Sequence, residues 1–305
     1  MDSGILALYK PRGMTSHDCV NRIRRLFKTK KVGHTGTLDP EVDGVLPICI
    51  GRATKVAEYM SDFDKTYIGE VTIGFSTTTE DAHGEVVETR AVSQTIPQAD
   101  LEAVMNEFKG AIQQTPPYYS AVKVNGRRLY EYARKGIEVE RPTREVTIHE
   151  ITLTNVAKAS DGQQLFSFTV RCSKGTYIRT LAVDIGARLG FPAHMSSLTR
   201  VASGSFEASH TVTFEALEEM TLEERYDKLY ALEHALSQFP RKVANQELEA
   251  RIKNGAVINN EDQSFGAERF LFYNEKGECL ALYQPHPKKE GWIKPEKLFT
   301  QAAGL

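Results

Sequence analysis

A chain of 305 residues, 41% hydrophobic and 26% charged, can build one large core or two ordinary ones, which excludes disordered and fibrous classes. Its formal net charge of -2 announces no polyanion ligand, and no apolar run approaches the roughly 20 residues that span a bilayer. Cys19, Cys49, Cys172 and Cys279 form no C-x-x-C pair, and MDSGILALYKP lacks a signal-peptide pattern, so a soluble, cytoplasmic protein without a zinc or disulfide framework is expected.

In chain order, residues 4–10 read as a strand and P-R-G as a turn. Thr15 and Ser16 offer an N-cap to a helix in which Val20, Ile23 and Phe27 recur. Residues 31–44 hold Gly33, Gly36, Gly44 and Pro40, a content that argues against any regular element. VLPICI (45–50) is a buried strand and GRATKVAEYM (51–60) is helical. KTYIGEVTIG (65–74) alternates as a strand, with a second strand near 85–89 as its partner. Residues 100–112 make an amphipathic helix.

Residues 113–145 are rich in Pro, Tyr and Arg without sustained periodicity, as in a functional loop or lid. Strands over REVTIHEITL and LFSFTVRCS, a helix over 177–190 and a strand near 201–207 follow. The acid-rich segment 214–235 should face away from any nucleic acid. After Pro240 the chain turns to short strands and glycine turns, a small β-rich module over 240–305. Strands and helices without βαβα alternation predict an α+β fold.

Charge is unevenly placed. Arg22, Arg24, Arg25, Lys28, Lys30 and Lys31 form one basic run. Lys123, Arg127, Arg128, Arg134, Lys135, Arg141 and Arg144 form another, interleaved with Tyr118, Tyr119, Tyr130 and Tyr132. Solvated charged surfaces would look similar, but cations for phosphates beside rings for bases favour RNA.

GHTGTLDPEVDGVLP (33–47) is the most informative segment. Its glycines allow close backbone approach, and Asp39 before Pro40 is held extended. Such a carboxylate can be a nucleophile, a general base, a metal ligand or a plain Asp-Pro turn. Walker, calcium-loop and dinucleotide motifs are missing, and the eight histidines show no two-His metal spacing.

G-H-T-G-T-L-D-P, preceded by K-P-R-G-M-T-S (10–16) and followed by G-R-A-T-K (51–55), resembles the signature of TruB-type tRNA pseudouridine synthases. D-K-T-Y (64–67), T-T-T-E-D-A-H-G (77–84), Q-T-P-P-Y-Y-S-A-V-K-V-N-G (114–126), C-S-K-G-T-Y-I-R-T-L (172–181) and L-T-R at Leu198 continue the match in order over about the first 210 residues.

The resemblance implies a pseudouridine synthase fold with a mixed, mostly antiparallel central sheet flanked by helices. It divides the chain into a catalytic domain over 1–239, with an RNA-clamping insertion at 113–145, and a PUA-like RNA-binding module over 240–305. It implies isomerisation of uridine 55 in the tRNA T loop without cofactor or metal. The base is flipped out, its glycosidic bond is cleaved and C5 is re-attached, with Asp39 as the catalytic carboxylate. Arg179 would pair with and align Asp39, and Tyr67 would stack on the base. Tyr177 and Leu198 would wall the pocket, a role close to ordinary packing. His34 would fill the space the base leaves. Lys10 would support the loop, phosphate contact being the alternative. Lys123, Arg127 and Arg128 in the insertion would bind the T-stem-loop. A monomer acting without protein or guide-RNA partner is expected. A guide-dependent sibling enzyme and a non-catalytic RNA chaperone are the rival readings.

Overall fold

The computed structural model describes residues 3–260, 264–266 and 268–300; the remaining positions of the expected 1–239 and 240–305 units lie outside the described residues. The N-terminal third runs β1 (Gly4–Lys10), α1 (Ser16–Leu26), β2 (Val32–His34) and β3 (Asp43–Ile50). A 3-10 turn over Gly51–Val56 leads into α2 (Ala57–Ser61) and β4 (Lys65–Ile73), and then into a small ribbon of β5 (Phe75–Thr77) and β6 (Val86–Thr89).

The middle third contains α3 (Gln98–Glu107), β7 (Gly110–Gln114), β8 (Lys123–Val124), β9 (Arg127–Arg128), α4 (Leu129–Ala133), β10 (Arg144–Val156) and β11 (Gln164–Cys172). Then come α5 (Ile178–Arg188), β12 (Ala193–Ser203), β13 (Phe206–Glu207), α6 (Phe214–Glu219) and α7 (Leu222–Asp227). The last stretch holds β14 (Arg241–Val243), α8 (Gln246–Lys253), β15 (Ile258–Asn259), β16 (Phe270–Tyr273), β17 (Cys279–Pro285) and β18 (Trp292–Leu298).

The central sheet has the order β1-β3-β12-β4-β11-β10-β7, with β2 added to β3 and β13 to β12. Every pairing along it is antiparallel except β12 with β3, so the mixed, mostly antiparallel sheet of an α+β fold is present. Where those two strands meet, Gly44 sits at φ +108°, and a Cβ there would lie 2.1 Å from the carbonyl oxygen of Arg200. Only glycine permits that approach.

One face of the sheet packs on α1, α3 and α5 through a core that includes Leu6, Ile23, Val71, Phe166 and Ile185. On the other face Ile5, Ala7, Val45 and Cys49 share a core with Leu271 and Leu282 of the C-terminal strands and with Phe299 just after the last of them. Those strands form a separate five-stranded sheet ordered β14-β16-β17-β18-β15.

Four local expectations change. Val32–His34 is a strand despite its glycine, because it pairs with the edge of β3. β6 pairs with β5 and not with β4, since Gly74 at φ +128° turns the chain off the main sheet. The helix expected over 100–112 ends at Glu107, and Gly110 at φ +97° starts β7. The strand expected near 201–207 begins at Ala193 and breaks at a turn before β13.

The acidic segment is exposed at Glu215, Glu218, Glu219, Glu223, Glu224 and Asp227, and one of these carboxylates meets a basic residue. Glu218 pairs with Arg22 at 2.6 Å, and Arg22 lies 4.3 Å over the Phe214 ring. α6 therefore lies against the basic helix α1 and engages one of its charges.

Candidate active site

The loop between β2 and β3 carries Asp39, and the K-P-R-G-M-T-S segment is its scaffold. Thr15 caps α1 through a reciprocal pair of bonds with Asp18. That places Ser16, whose buried hydroxyl donates to the Leu38 carbonyl at 3.1 Å and accepts from the Leu38 N–H at 2.8 Å. The Lys10 ammonium donates to the carbonyls of Pro11, Pro40 and Val42 at 2.9, 3.0 and 2.7 Å. At the loop's end the Asp43 carboxylate accepts from Thr199 at 2.6 Å and Tyr9 at 3.2 Å, and it pairs with Arg12.

Lys10 is wholly buried, and burial lowers its pKa. Its three donors already have carbonyl acceptors, so this side chain ties Pro11 to the Asp39 loop.

Asp39 meets Arg179 from the first turn of α5, Nη2 to Oδ2 at 2.9 Å. A cation at a helix N-terminus opposes the helix dipole, yet Arg179 is fixed there by three chain segments. It donates to the Thr79 carbonyl and the Tyr119 carbonyl, each at 3.0 Å. Asp81 flanks it at 3.8 Å and is itself oriented by Thr79 and by the His83 N–H. The His83 ring lies between Asp81 and Glu41, at 3.6 and 3.8 Å.

Behind this pair lies a cavity of about 320 Å³, lined among others by Asp39, Tyr67, Tyr177, Arg179 and Leu198. The strand period explains the lining. Lys65 and Tyr67 alternate onto one face of β4, Leu198 and Arg200 onto the same face of β12, and Arg200 is in register with Tyr67. Gly69 leaves the room: a Cβ there would lie 2.8 Å from Phe168 and 3.3 Å from Leu198. Burial raises the Tyr67 phenol, opposed by the Arg200 charge. Burial also raises Tyr177, whose backbone is clamped by the Gln114 amide at both N–H and carbonyl.

A second cavity of about 690 Å³ shares Asp39 and Ser120 with the first and opens outward past His17, His34, Lys123, Arg128 and Tyr130. The His34 Nδ1 is buried with no hydrogen bond among the described residues. Burial and nearby Arg200 lower its pKa, which favours the neutral form of a ring that is flat in either state. Lys123, Arg127 and Arg128 stand exposed on a two-stranded hairpin turned by Asn125 and Gly126, both at positive φ. Arg127 is not among the residues that line the groove. Arg141 lies 4.1 Å over Tyr118 and donates to Pro116, so part of the Tyr/Arg interleaving braces the insertion itself.

Lys65, Asp81 and Arg200 also belong to the site, although their motifs assign them no task in the sequence. Strand alternation from Tyr67 and Leu198 was the available signal for Lys65 and Arg200. For Asp81 none existed, since it depends on Arg179 arriving from a distant helix. Among the described residues no group of three or more His, Cys, Asp or Glu is placed to hold a metal ion, and no helix is long and apolar enough to cross a membrane.

Comparison with known proteins gives one answer. Residues 24–178 match the TruB family pseudouridylate synthase N-terminal domain, and residues 179–239 match the tRNA pseudouridylate synthase B C-terminal domain. The division between them falls inside the site, next to Arg179, and not at a gap in the fold. The tRNA pseudouridine synthase B of Shouchella clausii is 64% identical over 97% of this chain and 98% of its own length. That of Bacillus subtilis is 54% identical over 99% of both. Among solved structures, a chain of a Cbf5-Nop10-Gar1 complex superposes with a TM-score of 0.71 at 26% identity, covering 98% of this chain and 86% of its own. One of an archaeal box H/ACA Nop10-Cbf5 complex gives 0.70 at 25%, covering 98% and 87%. This chain belongs to the TruB family of pseudouridylate synthases.

Proposed function

We propose that this protein converts a uridine in the T loop of tRNA, uridine 55 by family resemblance, to pseudouridine, with Asp39 as the catalytic carboxylate. The observation that carries the reading is the Asp39–Arg179 pair lining a cavity that continues into a basic, ring-lined groove. The RNA loop lies in the groove along Lys123, Arg128 and Tyr130, with Arg127 adding field at its edge. One nucleotide leaves the stack and enters the cavity, and the neutral His34 ring takes its place. Tyr67 and Leu198 hold the base, with Tyr177 closing the wall. The Arg179 fork orients Asp39 toward the sugar. Attack of the carboxylate on C1′, or removal of a ribose proton by it, permits the base to leave C1′ with the N1–C1′ bond pair. The base turns and bonds to C1′ through C5, which releases the Asp39 carboxylate or takes the ribose proton back, and the C5 proton is lost while N1 gains one. Nothing is oxidised, so the reaction balances with no cofactor and no metal.

The enzyme acts as a monomer in the cytoplasm without guide RNA, since the 113–145 insertion supplies its own RNA surface. Residues 1–239 are the catalytic unit and 240–305 a PUA-like module that extends RNA contact. The test is purified protein with an unmodified tRNA transcript, with and without EDTA, followed by pseudouridine mapping. The expected result is one modified site in the T loop in both arms. An unmodified transcript, or product formed only with an added guide RNA, overturns the reading. EDTA strips magnesium from tRNA as well, so an isolated T-stem-loop is the substrate for that arm.

A further inference from the structure

The cavity contains two buried cations that the reaction just described leaves without a task. Lys65 is 7% exposed and Arg200 1%, yet both line the cavity. Both side chains pass close to Gly36 in the Asp39 loop: a Cβ at Gly36 would lie 3.6 Å from Arg200 Nη1 and 3.9 Å from Lys65 Cε. Neither has a carboxylate partner within ion-pair distance among the described residues. Lys65 donates to the carbonyls of Ser61 and Phe63 at 2.7 and 2.5 Å. Arg200 donates to those of Val45 and Gly36 at 2.7 and 3.3 Å. Burying two cations side by side without an anion is costly, and burial together with the Arg200 charge pulls Lys65 down to about 8. Such an arrangement suits a site to which negative charge is brought.

The proposed reaction brings it. When N1–C1′ breaks, the bond pair stays with the base and spreads over N1, O2 and O4. The sugar carbon's electron demand is met by Asp39 or by loss of a ribose proton. The charge leaves the base when C5 bonds to C1′, as Asp39 regains its carboxylate or gives back the ribose proton, and the C5 proton is then lost while N1 gains one. Resting on that reading, we propose that Lys65 and Arg200 form a preorganised cationic cradle for the uracil anion, opposite the carboxylate that serves the sugar. Fixed charges aimed where charge develops act chiefly on the transition state. The cradle therefore lowers the barrier to bond breaking and contributes little to RNA affinity.

Lys65 provides the handle. The groups facing it are Arg200 from β12, Cys172 from β11, Tyr67 on its own strand, Asp62 and Asp64 from the preceding loop, and Asp39 across the cavity. Asp62 is engaged by Lys174, and Asp64 by Arg171 and His149. The cationic form is the active one, so activity is full below the Lys65 pKa and falls as pH rises through it. Single-turnover rates at saturating enzyme should drop about tenfold for wild type between about pH 7 and about pH 9. Lys65→Arg keeps its charge and should drop less than about threefold across the same range. Substrate ionisation is common to both and cancels. Lys65→Met should lose about 10²-fold at neutral pH, with T-stem-loop affinity changed less than about threefold.

Parallel pH profiles for wild type and Lys65→Arg overturn the cradle and leave Lys65 as a brace for the Ser61–Phe63 turn. A mainly weakened affinity would reassign it to a phosphate and overturn the cradle equally. If Lys65→Met does not fold, the two pH profiles decide alone. Wild type that forms no pseudouridine at all refutes the functional reading itself, a result distinct from parallel profiles in active protein.

Discussion

Arg179 reaches Asp39 from a helix on the far side of the pocket, and the two differ sharply in exposure: the guanidinium is 7% exposed and the carboxylate 46%. The arginine is a fixed post, while the aspartate remains open to whatever fills the cavity. Removing the carboxylate's charge should therefore cost chemistry far more than folding or binding. Asp39→Asn is expected to lower single-turnover pseudouridine formation by at least about 10³-fold, with tRNA affinity weakened about tenfold at most, because phosphate contacts dominate affinity. Near-normal turnover in protein free of wild-type carry-over removes Asp39 from the mechanism.

Lys10 makes the opposite prediction. Lys10→Met leaves the Pro11, Pro40 and Val42 carbonyls without their donor. Each stranded carbonyl costs roughly 1–3 kcal/mol, partly offset by relief of a buried charge. Urea unfolding should show a net loss of about 1–3 kcal/mol, and turnover should fall with RNA affinity nearly unchanged. A specific loss of affinity and of its salt dependence would favour the alternative, phosphate contact by Lys10.

The exposed hairpin of the insertion is testable by salt. Replacing Arg127 and Arg128 by Ala should weaken tRNA binding and lower the log–log salt slope by roughly 0.7 to 0.9 for each phosphate that is no longer neutralised. Turnover at saturating tRNA should hardly move. The control is Glu218→Gln, which frees Arg22 from its partner and should strengthen binding slightly if α1 faces RNA. An unchanged slope in the arginine pair identifies the insertion as a lid instead of a clamp.

Gly44→Ala tests the backbone under the site. Positive φ and a Cβ 2.1 Å from a carbonyl oxygen force β3 away from β12, at a cost of several kcal/mol. The measurement is denaturant unfolding, and a loss below about 1 kcal/mol contradicts the geometry.

The site was legible in the sequence where local chemistry acts alone. The Asp-Pro step, the capped helix after Thr15 and the alternation around Tyr67 each carry their reason within a few residues. What stayed hidden depends on chain returning from far away. Gly74 and Gly110 look like ordinary strand and helix positions until their positive φ redirects the chain, and so the partners of β6 and the very existence of β7 were misplaced. The Asn125-Gly126 step was an unread hairpin signal. The partner of Arg22 was hidden because nothing local reveals that Glu218 folds back to meet it.

The core shared by the two sheets has a mechanical consequence. Ile5, Val45 and Cys49 from the strands bordering the Asp39 loop are roofed by Leu271, Leu282 and Phe299. Lys55 and Tyr59 are tied to Leu298 and Glu296 across the same seam. Cutting the chain after residue 239 would bare the underside of the strands that set the catalytic loop. The tail is thus a keystone for the pocket's floor as well as an appendage: heat or denaturant should unfold both sheets in one transition, and a truncated chain should lose its chemistry even on a minimal stem-loop that never reaches the missing module.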